Sequence, residues 1–392
     1  MLVPGRFSAA VSVSTEEDTV RAVTQAVAAL EAAGGGQGDL LVAFFTGHHS
    51  PRAKEISRVV RAALAPDSLI GCSAAGVIGA GREIEEGPGL VLWAARLPGA
   101  RVQAFRLEFE NTGEGGMVHG WPEAGDGASA ALMVDPFSFP LDPFLSSLRE
   151  LSPIPRIVGG VASSGRRPGA NRLLYEEEVV TGGAVGVVVD GPAVLEPLVS
   201  QGCRPIGPEF RITRSERNVI YELDGEPAFQ ALSRIFEDLD EESSAAFRSA
   251  PQVGLAAVRS SGDLGSEGYL IRGVVGIDRE SGAIAISDAA PEEMRVRFHA
   301  RDGASAHEDL GNLLGLASGL YPDAAGGLLF TCTGRGESMF GRPDHDAELA
   351  GTYFPDLPIA GMFAAGEIGS VCGLPYIHGF SASLGLLRER VE

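Results

Sequence analysis

Residues 357–369 read LPIAGMFAAGEIG, and this stretch decides how the rest of the chain is interpreted. Its first half is an apolar run typical of a buried strand, and its second half is a glycine-rich turn that contains one carboxylate, Glu367. Residues 69–79 repeat the phrase as LIGCSAAGVIG, so that Gly, Ala, Ala, Gly, Ile and Gly coincide when the two are aligned. A looser copy, IVGGVASSG, occupies residues 157–165. Such internal repetition indicates a repeated structural unit.

The segments that lead into each copy repeat as well. Each phrase follows an apolar run typical of a strand, a polar loop and a candidate helix, the helices lying at residues 56–64, 142–151 and 344–353. The unit is therefore strand, loop, helix, strand and glycine turn, about thirty residues long, as in a βαβ element. In each copy we expect the loop and the glycine turn at the carboxyl edge of the strands, where the functional loops of such units lie.

Chain length and the repeats together predict a mixed α/β fold with two domains. A chain of 392 residues is long for a single hydrophobic core. Two prolines and two glycines cluster in residues 199–208 and mark a junction, so we place the domains at residues 1–208 and 209–392. Each domain is expected to contain mixed sheets flanked by helices, and the repeated units make the two halves pseudo-repeats of each other.

The charge balance limits the classes of partner. The chain has 52 acidic and 31 basic residues and a formal net charge of −21. Nucleic acids and anionic membranes are bound through basic surfaces, so neither partner is expected. No apolar run has the length of a membrane span, residues 1–14 lack the apolar core of a signal peptide, and the four cysteines form no CxxC pair. These features favour a cytoplasmic protein in a reducing compartment.

Two glycine-rich motifs and a linking segment resemble those of the FIST family. The early motif is GCSAAG at residues 71–76, and the late one combines CTGRG at 332–336 with GMFAAGEIG at 361–369. Between them, GCRPIG at 202–207 and LDGEPA at 223–228 look like the segment that joins the N-terminal and C-terminal FIST domains. The resemblance covers nearly the whole chain.

This resemblance implies a sensory protein that binds a small ligand, with amino acids as the suggested ligands and signal transduction as the context. Residues 1–208 then correspond to the FIST N-terminal domain and residues 209–392 to the FIST C-terminal domain. The chain shows no kinase, methyl-accepting, cyclase or F-box segment, so we expect a separately encoded partner protein to receive the signal.

Arg335 and Glu367 are the leading candidates for ligand binding. Arg335 lies in the loop after one strand and Glu367 in the glycine turn after the neighbouring strand, so both are expected at one edge of the sheet. A guanidinium and a carboxylate there can take the two charged ends of an amino acid, and backbone N–H groups near Gly366 add donors. The alternative is that Arg335 and Glu367 pair with each other and tie the loops together. If they bind a ligand, Arg335→Ala removes ligand-induced stabilisation and leaves the fold intact.

Further residues extend this candidate site. Ser73 and Ser163 stand in the other two glycine turns, where their hydroxyls can donate to a ligand or cap their own turns. Cys332 and His378 are close in sequence to the Arg335 loop, and as ligand-binding residues they complete the site. Alternatively, a cysteine nucleophile and a histidine base, with the arginine and the glutamate, make this region the active site of an enzyme for an amino-acid-like substrate.

His48 and His49 hold, in the first repeated unit, the loop position that Arg335 holds in the third. Some FIST relatives are described as haem-linked nitric-oxide sensors, so the resemblance implies a haem-binding gas sensor as another alternative. Adjacent histidines point in different directions, which disfavours a shared metal ion, and no other metal site is expected. The leading prediction remains a small-ligand-binding sensory protein without a cofactor, whose ligand lies at the loop edge between the two domains.

Overall fold

Three copies of one strand arrangement build the larger of two units in this protein. The computed structural model describes residues 6–112, 116–257 and 268–390. The first repeat contains β1 (Ser8–Ser14), α1 (Thr19–Ala32), β2 (Leu40–Thr46), a 3-10 turn (Gly47–Arg52), α2 (Ala53–Leu64), β3 (Ser68–Ala74), β4 (Val77–Gly79), β5 (Arg82–Ile84) and β6 (Leu90–Arg96). The second contains β7 (Arg101–Asn111), β8 (Gly116–His119), β9 (Ser129–Val134), α3 (Leu141–Leu148), β10 (Arg156–Val161), β11 (Leu173–Tyr175), β12 (Glu178–Val180) and β13 (Ala184–Asp190).

The third repeat is interrupted by the smaller unit. It opens with β14 (Ala193–Ser200). The chain then forms β15 (Arg204–Glu216), β16 (Val219–Leu223), β17 (Glu226–Pro227), α4 (Ala228–Asp238), α5 (Glu241–Ser249), β18 (Gln252–Ala256), β19 (Tyr269–Asp278), β20 (Ala283–Ile286), β21 (Arg295–Ala300) and α6 (Gly303–Leu320). The repeat continues with β22 (Gly326–Cys332), α7 (Glu337–Phe340), α8 (His345–Tyr353), β23 (Ile359–Ala364), β24 (Glu367–Val371), β25 (Leu374–His378) and β26 (Ala382–Glu389).

The two units are defined by their internal packing. The larger unit takes Met1–Ser200 and Gly311–Glu392, and the smaller takes Gln201–Leu310. The smaller unit is thus an insertion into the chain course of the larger one, whereas the sequence division at residue 208 placed two domains one after the other. The difference arises because the last strand, β26, pairs with β14 and β22 and so completes a sheet that begins before the insertion.

The repeated unit predicted from the sequence is confirmed as a parallel strand pair followed by a glycine turn. The pairs are β2 with β3, β9 with β10, and β22 with β23. In each pair a helix connects the two strands, and the observed α3 and α8 lie within three residues of the predicted helices. The carboxyl ends of the paired strands coincide, since Cys332 is opposite Ala364 just as Thr46 is opposite Ala74.

Each repeat gives its last hairpin to the sheet of another repeat. The strand orders are β1-β6-β2-β3-β11-β12, β14-β26-β22-β23-β4-β5 and β8-β7-β13-β9-β10-β24-β25. The hairpin β4–β5 therefore extends the third repeat's sheet, β24–β25 extends the second, and β11–β12 extends the first. The exchange is cyclic, which corrects the prediction of two pseudo-repeated halves: the larger unit has three.

Equivalent backbone hydrogen bonds mark the three exchange points. The Ser73 N–H donates to the Arg172 carbonyl at 2.8 Å, the Val161 N–H to the Gly366 carbonyl at 2.8 Å, and the Phe363 N–H to the Gly76 carbonyl at 2.9 Å. These bonds give a residue-by-residue correspondence among the repeats, which is used below to compare their side chains.

Both faces of the sheets are buried, which explains the continuous apolar runs in the sequence. In β2, alternate residues face a core shared by all three sheets, where the Phe44 and Phe330 rings meet edge to face with centroids 5.9 Å apart. The residues between them, such as Leu41 and Phe45, pack in a second core with α1 and α2. The sequence of β2 therefore lacks the alternation of polar and apolar residues and is apolar almost throughout.

The smaller unit is a barrel with its own core. Its seven strands follow the order β15-β21-β18-β19-β20-β16-β17, and an additional pairing of β15 with β16 closes the sheet. Apolar side chains from the strands and from α4 and α5 fill the interior, including Phe247 and Phe298. Across the described part of the chain, none of the helices combines the length and the apolar character needed to cross a membrane.

A glycine recurs at one position in the second strand of each parallel pair. A Cβ placed on Gly71, Gly159 or Gly361 would lie 2.0 to 2.1 Å from a carbonyl oxygen of the neighbouring strand. We therefore expect Gly361→Ala to destabilise the protein by about 1–3 kcal/mol, because overpacking of this size forces the strands apart. The measurement is chemical denaturation monitored by circular dichroism.

Gly351→Ala is the matched control for this substitution. Gly351 lies in α8, and a Cβ there would have no atom within 4 Å. It should stabilise the protein by roughly 0.5–1 kcal/mol, since alanine lowers the entropic cost of helix formation. Equal effects of the two substitutions would contradict the proposed close approach of the strands.

Candidate functional site

The candidate site lies at the carboxyl edge of the third repeat's parallel pair. The loop after β22, the turn after β23 and the start of β26 meet there, because the Cys332 N–H donates to the Ser381 carbonyl at 3.0 Å and the Thr333 N–H to the Ala364 carbonyl at 2.9 Å. Arg335 and Glu367 belong to this loop and this turn. All the residues of the site belong to the larger unit.

Arg335 is fully buried and forms a bidentate ion pair with Asp346 of α8. Its Nε and Nη2 each donate to one carboxylate oxygen at 2.8 Å. Asp346 also accepts a hydrogen bond from the Thr331 hydroxyl and lies 2.8 Å from Nδ1 of His345. Burial would raise the pKa of Asp346, but the Arg335 guanidinium and these hydrogen bonds outweigh it and hold the pKa well below its ordinary value.

Aromatic rings cover the Arg335 guanidinium. The Phe340 ring stacks on the His345 ring with centroids 3.4 Å apart and an interplanar angle of 7°. The Arg335 Cζ lies 5.1 Å from the Phe340 centroid, in cation–π range. The segment from α7 to α8 thus folds back over the ion pair and excludes water from it.

Two carboxylates from the first repeat fasten this covering segment. Glu83 of β5 accepts from the Ala347 N–H of α8 at 2.9 Å, and Glu85 accepts from the Glu337 N–H of α7 at 2.8 Å. Burial, together with the neighbouring Asp346 charge, raises the pKa of Glu83 to about 7. Burial also raises the pKa of Glu85. Glu83 and Glu85 therefore stabilise helix N-termini of the third repeat.

Glu367 is fully buried beside this ion pair. Its Oε2 accepts from the Ser381 N–H at 3.1 Å and from the Ser381 hydroxyl at 2.7 Å. Burial raises the pKa of Glu367 to about 8, although these bonds and the Arg335 charge act in the opposite direction. Burial and the Glu367 charge raise the pKa of Cys332 to about 11.

His378 and Gly366 flank Glu367 on the exchanged hairpin. His378 is opposite Glu367 in the β24–β25 register, and its Nε2 lies 3.3 Å from the Gly369 carbonyl oxygen. The Gly366 carbonyl accepts the Val161 N–H that joins two repeats. Gly366 therefore has a structural function in addition to its predicted place in the ligand site.

The two predicted serines link repeats to one another. The Ser73 hydroxyl oxygen accepts from the Arg172 N–H at 2.8 Å and from the Ser164 hydroxyl at 2.6 Å. The Ser163 hydroxyl donates to the Phe363 carbonyl and accepts from the Ala75 N–H at 2.8 Å. Neither serine caps its own turn through these bonds, and their predicted contact with a ligand stays a prediction.

Both histidines of the first repeat contact the chain at or just before the start of α1. His48 Nε2 lies 3.0 Å from the Glu17 carbonyl oxygen, and His49 is fully buried with Nδ1 3.0 Å from the Thr19 hydroxyl. Burial lowers the pKa of His49 to about 4. The two rings differ in accessibility, because His49 is buried whereas His48 is exposed. Among the described residues, no three His, Cys, Asp or Glu side chains are placed to hold a metal ion.

Sequence reasoning missed Asp346, Glu83 and Ser381. Asp346 was included only as part of a predicted helix, and its pairing with Arg335 depends on where α8 packs. Glu83 comes from a different repeat, so no spacing in the sequence connects it with α8. One feature of the sequence does point to the site. In the aligned phrases Glu367 takes the position of Val77, so an ionisable residue replaces an apolar one.

Comparison with known proteins identifies the family. Residues 39–226 match the FIST N domain and residues 228–370 match the FIST C domain. The two matches leave only a single residue between them and cover most of the chain. The protein belongs to the FIST family, and the candidate site draws residues from both matched segments, since Glu83 lies in the first and Arg335 in the second.

Mycobacterial proteins are similar to this chain over almost its full length. An uncharacterized protein of Mycobacterium tuberculosis is 38% identical over 379 residues, which are 96% of this chain and 98% of the relative. An uncharacterized protein of Mycobacterium bovis is 36% identical over 374 residues, covering 93% of this chain and 96% of the relative. The relatives thus share the combination of both domains.

The burial of Arg335 changes the outcome expected for its substitution. Removing one partner of a buried ion pair leaves the other charge uncompensated, so Arg335→Met should lower the free energy of unfolding by about 3–5 kcal/mol. Adding Asp346→Asn should recover part of this loss because the uncompensated charge is removed. Denaturant titration measures both effects. The expectation that Arg335→Ala leaves the fold intact is replaced by this one.

Arg342→Met is the control for the ion pair. Arg342 pairs with Glu348, and both side chains are about half exposed. An exposed pair is worth up to about 1 kcal/mol, so the control should change stability little. A similarly small effect of Arg335→Met would show that the buried pair is not a major source of stability.

The raised pKa of Glu367 predicts a specific pH dependence. The folded protein keeps a proton on Glu367 up to about pH 8, whereas the unfolded chain releases it near the ordinary value of 4.5. This group's contribution to stability is therefore present below pH 4.5 and is lost as the pH rises towards 8. Glu367→Gln removes this contribution, so its stability relative to the wild type should increase with pH across this range. A difference that stays constant or decreases with pH would contradict the assignment.

Proposed function

We propose that this protein is a sensory protein that binds a small molecule, and that the ligand is an amino acid or a related metabolite. Its family supports the sensory class, and the chemistry of the third repeat supports the location of the ligand. The alternative of a haem-dependent gas sensor is less favoured, because His49 is buried and Nε2 of the exposed His48 lies against the Glu17 carbonyl oxygen.

The observation that carries the proposal is a difference among three otherwise equivalent repeats. Glu367 occupies the position of Val77 in the first repeat and Leu173 in the second. His378, opposite it, occupies the position of Ile84 and Val180. The fold is built with apolar side chains at these positions in two repeats, so it does not need ionisable ones in the third. Buried ionisable groups at a strand edge are typical of a site that has been adapted for binding or chemistry.

The ion pair supplies a way to recognise a carboxylate. An amino acid's carboxylate would take the place of Asp346 on Arg335, which exchanges one negative charge for another and keeps the buried site balanced. Its ammonium group would then lie towards Glu367. Glu367 would lose its proton and pair with the ammonium group as a carboxylate. Because the Arg335 and Glu367 side chains are buried, binding requires the segment from α7 to α8 to move.

That movement would provide the signal. Release of Asp346 frees α8 from the guanidinium, and movement of the segment also breaks the hydrogen bonds of Glu83 and Glu85 to the helix N-termini. A ligand that binds the open arrangement better than the closed one shifts the population towards it. We propose that a separately encoded signalling partner recognises this open arrangement.

A thermal-shift screen of the amino acids at millimolar concentration tests the proposal. A ligand present at a hundred times its dissociation constant should stabilise the protein by roughly 2.7 kcal/mol, which raises Tm visibly. Glu367→Gln should weaken the shift, whereas Glu348→Gln, an exposed carboxylate of α8, should leave it unchanged. No shift with any amino acid, or an equal shift in Glu367→Gln, would overturn the assignment.

Recovery of the ligand distinguishes a sensor from an enzyme. After prolonged incubation, NMR of the solution should show the amino acid unchanged. Its consumption would instead favour the alternative in which Cys332, Arg335, Glu367 and His378 form an active site.

A further inference from the structure

Strand β1 forms one edge of the first repeat's sheet. In the order β1-β6-β2-β3-β11-β12 it is paired with β6 alone. The direction of the backbone groups in β6 follows from its other neighbour, because the Asp39 N–H donates to the Ala95 carbonyl and the Thr46 N–H to the Gly89 carbonyl. Odd-numbered residues of β6 therefore direct their backbone groups towards β2, and even-numbered residues direct theirs towards β1.

The odd-numbered residues of β1 consequently face away from the sheet. Even-numbered residues of β1 lie opposite even-numbered residues of β6 and form the hydrogen bonds of that pairing. The N–H and C=O groups of Ala9, Val11 and Val13 point the other way, and within the described part of the chain no backbone hydrogen bond reaches them. All three residues are partly exposed. Such a row of unpaired donors and acceptors is able to pair with another strand.

β1 differs from the other edge strands of the larger unit that the structure describes. β5, β8 and β12 have only three or four residues. β14 contains Glu196 and Pro197, and β25 contains Pro375. Short length, charges and prolines protect sheet edges from pairing with other chains. β1 has seven residues, SAAVSVS, without a charge or a proline, so it lacks all three forms of protection.

We propose that two copies of this chain pair through β1 and form a homodimer. The strands run antiparallel about a twofold axis at Val11, so that Val11 lies opposite Val11 of the second copy and Ala9 lies opposite Val13. Each of these pairs exchanges two backbone hydrogen bonds, and the two six-stranded sheets become continuous. Other registers pair fewer of the odd-numbered residues with one another.

The charges at the two ends of β1 are complementary in this register. Arg6 precedes β1 and Glu16 follows it, and both are exposed. Because each lies equally far from Val11 in the chain, Arg6 of one copy is opposite Glu16 of the other, and the twofold axis forms this contact twice. Within its own chain Arg6 lies 3.4 Å from Asp323, with side chains 85% and 89% exposed, and so exposed a pair contributes little.

A pocket beside Ala9 leaves room for the second copy. It has a volume of about 540 Å³, and Ala9, Ala324, Ala325 and Tyr353 are among the residues that line it. Directly opposite residues of an antiparallel pair have their side chains on the same face. Val13 of the second copy would therefore lie beside Ala9 and add apolar contact at this pocket.

The mass of the full chain in solution tests the inference. Analytical ultracentrifugation at micromolar concentration should give twice the chain mass of 40.8 kDa. Arg6→Glu should raise the Kd of the dimer by about 25-fold or more, because two contacts that are each worth a factor of about 5 are lost. Glu16→Arg should have the same effect. Arg58→Glu is the control, because it changes the charge equally on α2, which packs against β12 at the opposite edge of the sheet.

The two charge variants should pair with each other. In a mixture, both ends of the Arg6→Glu strand are acidic and both ends of the Glu16→Arg strand are basic, so opposite charges meet at each end of the interface. The mixture should therefore dimerise more tightly than either variant alone. The double variant Arg6→Glu/Glu16→Arg should likewise recover the affinity of the wild type, which a merely destabilising effect of the substitutions would not allow.

Val11→Cys tests the register. In a Cys372→Ser background, which removes the exposed thiol, oxidation should link two copies because directly opposite Cα atoms lie within disulfide range. Ser8→Cys should not form this link, since Ser8 lies opposite Ser14 and the two Ser8 residues would be about 20 Å apart. Ser8 is the more exposed of the two positions, so random collision would give the reverse order.

A monomeric chain, a dimer that Arg6→Glu leaves unchanged, or cross-linking at Ser8 as efficient as at Val11 would overturn the inference. It goes beyond the proposed function and does not depend on it, because no residue of β1 belongs to the candidate site at Arg335. A thermal shift with an amino acid and the formation of the dimer therefore succeed or fail separately.

Discussion

The architecture of the larger unit depends on the exchange of hairpins between its three repeats. Each glycine turn carries the chain out of its own sheet, and a backbone N–H of the next sheet, from Ser73, Val161 or Phe363, closes the crossing. A short edge strand left without a partner would expose its backbone groups, so no repeat is expected to complete its sheet alone. The exchange also delivers residues of one repeat to another, which is how Glu83 and Glu85 reach α7 and α8.

Comparison of equivalent positions in the three repeats identifies the ionisable residues that packing alone does not explain. Where the same backbone holds Val77, Leu173 and Glu367 in three equivalent places, the apolar residues define what packing requires and the glutamate is an addition. Desolvation of this carboxyl group raises its pKa, and the hydrogen bonds from Ser381 offset part of that effect. Arg335 and Asp346 are also buried, and each compensates the charge of the other. The site therefore contains one ion pair beside one carboxyl group that keeps its proton.

Much of the fold was predictable from local sequence. The three copies of the glycine phrase located the parallel pairs, and the apolar spacing located α3 and α8 to within a few residues. The boundary at residue 208 was placed from local sequence, which carries no information about strand pairing between distant residues. The position of β26 between β14 and β22 joins residues that are far apart in the chain, so the insertion of the smaller unit follows from strand pairing and not from any local signal.

The sequence alone determined the repeated unit, the family and the placement of Arg335 and Glu367 at one strand edge, because strand periodicity and turn glycines act over a few residues. Only the tertiary structure decided that Asp346 is the ion-pair partner of Arg335 and that Ser381 hydrogen-bonds Glu367. Those contacts depend on how a helix and an exchanged hairpin pack against the strand ends. Burial, which sets the pKa values of the Glu83 and Glu367 carboxyls, is likewise a property of the assembled repeats and not of any one segment.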